Sequence, residues 1–341
     1  MTRRGVLSEG PIDRGRRQGR PGTGRPRRTR GIKLGLLGLA VVVALVVLLV
    51  LMVTKASDPA RPAGLLPATP PRPVHAEHSS HPVWTLVPAA AVVRPRFKER
   101  LTSGLLFDVH SGRVLWAREP SQALAIASLT KMMTALVVAE HAPPSAQVYI
   151  RQAAIDYSGS GIGLLPLHKK VRLETLMYGL LLPSGNDAAI ALAQHVAGSE
   201  DRFIAMMNRR ARTMGLRCTH FTTVSGIVDR GNYSCSADLA VMAHAVLAQP
   251  RLARIVATRS IVLPFPIKGG KLYLYNNNPL LLARYPGADG VKTGYTVAAG
   301  VCLVASARRG RTRLAVVLLH SDDAPDEARQ LLDAGFAKLP G

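Results

Sequence analysis

From about residue 97 onward the chain changes its apolar period twice, and that order limits the folds open to it. Residues 101–109 and 113–116 read as two strands joined by a tight turn at His110-Ser111-Gly112. Residues 173–182, 187–196, 202–214 and 236–247 then place apolar side chains three and four apart, as helices do. Asp201 and Ser236 are predicted N-caps, and Gly198 and Gly215 predicted stops. Alternation returns in residues 259–265, 271–275, 301–307 and 313–319, before a final helix over 325–337. Strands at both ends and helices between them predict an α+β domain. Its antiparallel sheet is built from the two termini and flanked by helices, with a helical subdomain inserted.

The stretch ahead of residue 97 has another character. Residues 1–33 hold eleven Arg and Lys against Glu9 and Asp13, with little apolar content, and are expected to be a disordered basic cytoplasmic tail. Residues 34–53 carry no charge across twenty positions, about 30 Å as a helix, which matches a bilayer's hydrocarbon core. A basic flank before this segment and only Lys55 close behind it predict an N-terminus in the cytoplasm and a catalytic domain outside. A cleaved leader is the alternative, though its apolar run is usually shorter. Residues 54–95, with nine prolines after Lys55, read as a linker, and His75, His78 and His81 within it as solvated rather than metal-binding. The domain itself is expected over 96–341.

Net charge is +23 in 341 residues, but it is spread along the chain beyond the basic tail and accompanies no nucleic-acid motif, so no nucleic-acid partner is expected. Cys218, Cys235 and Cys302 lack metal-ligand spacing, and no metal is expected. Cys218 and Cys235 either close a short loop or stay reduced, while Cys302 lies in an apolar run that reads as core.

Ser128-Leu129-Thr130-Lys131 sets a hydroxyl and an amine three apart at a predicted helix start, on one face. A desolvated lysine can act as the base a serine nucleophile needs. Alone the tetrad means little. Ser184-Gly185-Asn186 follows 56 residues after Ser128, and Lys292-Thr293-Gly294 follows 108 residues after Ser184. Ser-x-x-Lys, Ser-x-Asn and Lys-Thr-Gly in this order form a set shared by penicillin-binding proteins and class A β-lactamases.

The surrounding residues, 127–134, 182–189, 276–281 and 289–296, resemble the D-alanyl-D-alanine carboxypeptidase family of low-molecular-mass penicillin-binding proteins. The resemblance covers roughly residues 97–341 and implies the β-lactamase/penicillin-binding transpeptidase-like fold. It implies no cofactor, peptidoglycan stem peptides as substrate and β-lactams as covalent inhibitors. By the same resemblance Ser128 is the nucleophile, Lys131 its base and Ser184 a proton relay. Asn186 would hold the substrate backbone, Lys292 and Thr293 its carboxylate, and Gly294 would admit the substrate strand. The N–H groups of Ser128 and Tyr295 would form the oxyanion hole. Asp187 reads as a helix N-terminal charge rather than a catalytic acid.

Two departures narrow the reading. Residues 319–326 contain no arginine where many members place one for the carboxylate, and residues 223–227 read Thr-Val-Ser-Gly-Ile in place of the usual Asn-x-x-Gly-Leu. No glutamate occurs between Glu200 and Glu327, which disfavours a class A β-lactamase. A DD-endopeptidase that cuts cross-links and a catalytically impaired wall-binding protein are the remaining alternatives.

Overall fold

The computed structural model describes residues 84–97, 101–163 and 165–339. The basic tail, the charge-free segment 34–53 and the three linker histidines lie outside the described residues.

Five strands form the main sheet: β1 (Ser103–Asp108), β2 (Val114–Arg118), β3 (Ala288–Thr296), β4 (Gly300–Arg309) and β5 (Thr312–Ser321). Their order is β2-β1-β5-β4-β3, all antiparallel, so the first and last strands of the domain pair at its centre, Ser103 opposite Leu319. At the β1–β2 turn the Asp108 carboxylate accepts from Ser111 N–H at 2.7 Å and from its hydroxyl at 2.8 Å.

Both faces of this sheet are covered, because successive side chains of a strand point to opposite sides. Ala315, Val317 and Leu319 join the large core with Leu105, Phe107 and the inserted helices. Leu314, Val316 and Leu318 join a second core with Leu331 and Leu332 of the last helix, α7 (Ala324–Lys338). A fully buried Leu or Val contributes about 1.5–3 kcal/mol.

The inserted helices are α1 (Lys131–His141), α2 (Leu173–Leu181), α3 (Asn186–Ala197), α4 (Glu200–Thr213), α5 (Ser236–Ala248) and α6 (Pro250–Ala257). The expected segments all appear, with two corrections at their ends and one helix, α6, that was not expected. The cap of α4 is Ser199, whose side chain accepts from Arg202 N–H, while Asp201 sits inside the first turn. Cys235, not Ser236, holds the cap position of α5. Helix α6 starts at Pro250, with proline in its first turn and the Gln249 side chain capping Leu252 N–H.

The packed domain also begins before residue 96. Val87 pairs with Arg113, Val93 is buried, and Trp84 stacks on His244 with centroids 4.1 Å apart. The prolines that made this stretch read as linker leave extended backbone free to run alongside β2, with Val92 and Val93 N–H both donating to Leu115 O. Cys218 and Cys235 form a disulfide closing a sequence separation of 17, worth about 3 kcal/mol by chain entropy, and Cys302 is a buried free thiol.

Candidate active site

The nucleophile sits on a 3-10 turn, Ala127–Thr130, that precedes α1 rather than in the α-helix itself. Ala127 has φ of 46°, a left-handed conformation that costs a non-glycine residue about 1–3 kcal/mol. Its neighbours hold it there. Thr130 Oγ1 donates to Ala127 O at 2.8 Å, and Asn232 Nδ2 donates to that hydroxyl at 2.9 Å. Ser128 stands second in the turn, where its N–H has no acceptor within the turn.

Lys131 is fully buried, and its Nζ lies 2.9 Å from Ser128 Oγ, 2.6 Å from Asn186 Oδ1 and 2.8 Å from Ser225 O. Two of those partners are carbonyl oxygens that only accept. A neutral amine therefore spends both its N–H bonds on them and turns its lone pair toward the serine hydroxyl. Burial, with the Lys292 ammonium adding to it and the Asp187 carboxylate opposing, holds Lys131 well below the usual lysine range. Lys292 is 1% exposed and is itself lowered by burial to about 7.

A cleft of about 370 Å³ opens over the serine, lined by Ser128, Ser184, Thr293, Gly294, Tyr295 and Asn277 among others. Ser184 has φ of 69° between Pro183 and Gly185, and its buried Oγ has no protein partner. That hydroxyl is free for a substrate atom. Thr293, Gly294 and Tyr295 lie on β3, the sheet's edge, where alternate backbone groups face away from β4. A Cβ built on Gly294 would fall 3.0 Å from Ile126 O and 3.1 Å from Ser128 N. The missing side chain is what lets β3 close on the nucleophile's turn.

Of the eight predicted residues, five line the cleft and three, Lys131, Asn186 and Lys292, are buried against it. Asn186 also has protein partners. Its Oδ1 accepts from Lys131 and its Nδ2 donates to Ser158 O at 2.5 Å, so one bond at each end of the amide is spent within the protein, with a second N–H and a second lone pair remaining. Asp187 is buried as a clamp. Its carboxylate accepts from Ile162, Gly163 and Ala188 N–H at 2.8–3.0 Å, tying the 158–163 loop to the start of α3. Ser160 of that loop also lines the cleft.

Sequence reasoning missed Ser225, which acts through a backbone carbonyl, and Gly226, whose φ of +78° packs it against Ala127 O. The departure at residues 223–227 was the available signal. Thr223 Oγ1 accepts from Gly226 N–H at 2.8 Å and shapes that turn.

A serine hydroxyl 2.9 Å from a buried lysine amine, set beside the edge strand of a helix-flanked antiparallel sheet, is the arrangement of acyl-transferring serine peptidases that work without histidine. The chain belongs to the D-alanyl-D-alanine carboxypeptidase family, which it matches over residues 92–323. It is 37% identical over 244 residues to the D-alanyl-D-alanine carboxypeptidase DacB2 of Mycobacterium tuberculosis, covering 69% of this chain and 82% of that protein. It is 34% identical to DacF of Bacillus subtilis, covering 69% of this chain and 62% of that longer relative. A crystal structure of a D-alanyl-D-alanine carboxypeptidase from Mycobacterium tuberculosis superposes with a TM-score of 0.68 at 34% identity, over 74% of this chain and 97% of that one.

Proposed function

We propose that the protein is a serine-type D-Ala-D-Ala carboxypeptidase that removes the terminal D-alanine of peptidoglycan stem pentapeptides through an ester on Ser128. The observation that carries this reading is the Lys131 amine, buried, held well below the usual lysine range by that burial, and 2.9 Å from the Ser128 hydroxyl. Lys131 takes the hydroxyl proton as Ser128 Oγ attacks the carbonyl between the two D-alanines. The N–H groups of Ser128 and Tyr295 meet the oxyanion. As the C–N bond breaks, the proton returns through Ser184 Oγ to the departing D-alanine, and water then hydrolyses the ester with Lys131 again as base. A β-lactam presents a strained amide carbonyl to the same serine and stays bound as an acyl-enzyme.

The short Ser128–Lys131 contact and the unpartnered Ser184 hydroxyl support acylation, so the impaired wall-binding reading is not favoured. Membrane attachment through residues 34–53, with the N-terminus cytoplasmic and the catalytic domain outside, is supported by the length and charge asymmetry of that segment. Among the described residues no single helix is long and apolar enough to cross a membrane. A mature N-terminus near Ala56 would overturn the anchor.

The deciding assay incubates the full chain in detergent with a stem pentapeptide and with a cross-linked dimer. Release of D-alanine from the pentapeptide is expected. Dimer cleavage without D-alanine release would make the enzyme an endopeptidase.

The cleft lining holds no charged side chain, which leaves Lys292 and the Thr293 hydroxyl for the substrate carboxylate. With its pKa near 7, Lys292 is charged below that pH and neutral above it. Lys131, its pKa lowered by burial and by the nearby Lys292, gains neutral form as pH rises and so remains an available base on the alkaline side. kcat/KM for a carboxylate-bearing peptide is therefore expected to fall by up to about tenfold per pH unit above neutrality. Lys292→Gln should abolish that limb; a limb unchanged in the variant would remove Lys292 from carboxylate binding.

A further inference from the structure

Away from the catalytic cleft, a second concavity of about 310 Å³ lies where the β4–β5 hairpin, the β1–β2 turn and the end of α5 meet. His110, His244, Arg308, Arg311 and Arg313 line it, with no carboxylate residue among the lining. Arg308 stands six residues along β4 from Cys302, about 20 Å at the rise of a strand, and Cys302 is the partner of Gly294. This places the concavity at the opposite end of the sheet from the nucleophile.

The five cationic or titratable groups are not equivalent. Arg313 is anchored by Asp289, donating through Nε at 2.7 Å and through a second nitrogen at 2.5 Å, and Ser306 Oγ fills Asp289's other oxygen. It is a fixed wall. Arg308 and Arg311 flank the hairpin tip at Gly310, both exposed, and neither has an ion-pair partner among the described residues. His244 donates Nδ1–H to Val109 O at 2.9 Å and is stacked on Trp84, which leaves Nε2 as its free edge. Burial first, and the neighbouring His110 after it, lower its pKa against the pull of the Val109 carbonyl. An anion in the concavity would reverse that.

A second basic hollow of about 270 Å³ adjoins, lined by Arg259 and Arg284 and by Gly287. The two share a seam, since Arg308 N–H donates to Gly287 O at 2.9 Å. Arg259 and Arg284 likewise have no ion-pair partner among the described residues. Guanidinium groups match phosphate oxygens bidentately, and two neighbouring basic hollows suit anions repeated along a chain better than one small ion. Trp84 is covered by His244, and Tyr285, which lines the second hollow, is largely buried with Arg309 over its ring, so neither offers an open stacking platform for bases.

We infer that this track, centred on Arg308 and Arg311, is a binding site for a flexible phosphodiester polymer, distinct from the peptide cleft and independent of the reaction there. It would hold the domain against a polyanion while the cleft, at the other end of the sheet, works on peptides.

The test measures binding of poly(glycerol phosphate) to the full chain in neutral detergent at fixed salt. Arg308→Ala/Arg311→Ala is expected to raise Kd at least tenfold. Arg209→Ala/Arg212→Ala removes the same charge from exposed positions on α4 and is expected to change Kd by less than twofold. Both pairs should acylate with penicillin at the parent rate, which reports that they fold. Histidine resonances should show the His244 pKa rising when the polymer binds the parent. Equal losses in the two pairs, a loss under twofold in the first, or an unmoved His244 would overturn the site. Duplex DNA and phosphatidylglycerol vesicles form the other arms. A dependence on Arg308 and Arg311 seen only with DNA, or only with vesicles, would overturn the assignment to a flexible polymer.

Discussion

A Ser128→Ala variant is expected to fold as the parent does, take up no fluorescent penicillin and release D-alanine at least about 10⁴-fold more slowly. The alcohol is a partly exposed group on the cleft floor, and its loss leaves the Lys131 amine bonded to Asn186 Oδ1 and Ser225 O. Lys131→Met removes the base instead. Its acylation rate should drop by about 10²–10⁴-fold, and the two carbonyl oxygens lose their buried donor, at a cost of about 1–3 kcal/mol each. Stopped-flow acylation with thermal melts separates the pair: the serine variant loses chemistry alone, the lysine variant chemistry and stability together. Penicillin uptake by Ser128→Ala at the parent rate would remove the nucleophile from the mechanism.

Gly226→Ala should be nearly as damaging although it touches no reacting atom. At φ of +78° an added Cβ would sit 1.9 Å from Ala127 O and 2.6 Å from Thr130 Oγ1, so the strained turn carrying Ser128 must move. The expected cost is about 3 kcal/mol or more, with penicillin labelling lost well below the melting temperature. Gly215→Ala isolates the clash. Its φ is +73°, but nothing lies within 4 Å of the new Cβ, so only the backbone penalty of about 1 kcal/mol should appear, with full labelling. Equal stability and labelling in the two variants would mean that packing behind the turn does not shape the site.

Why the nucleophile and base were legible in the sequence while their surroundings were not follows from what each group uses. Ser128, Lys131, Ser184 and Lys292 act through side chains at fixed spacings, and sequence records side chains. Ser225 acts through its carbonyl, and Gly226 through the absence of a Cβ, which depends on where a distant turn packs. The protein partners of Asn186, Lys131 and Ser158, were not legible, because they come from separate elements. The sheet was readable from short apolar runs bounded by turn residues at both ends of the domain. Residues 84–95 were not, since prolines mark linkers and edge-running extended chain alike. Helix α6 spans eight residues, too few for its period to stand out.

The pairing of β1 with β5 has a consequence for when the protein becomes an enzyme. Ser103 meets Leu319 only after every intervening residue has left the ribosome, and contacts between such distant positions form slowly. Edge strand β3 reaches the nucleophile's turn as part of the sheet that β5 completes. A chain still emerging should therefore be blind to penicillin, and susceptibility to the drug should begin abruptly once the last strand has been added.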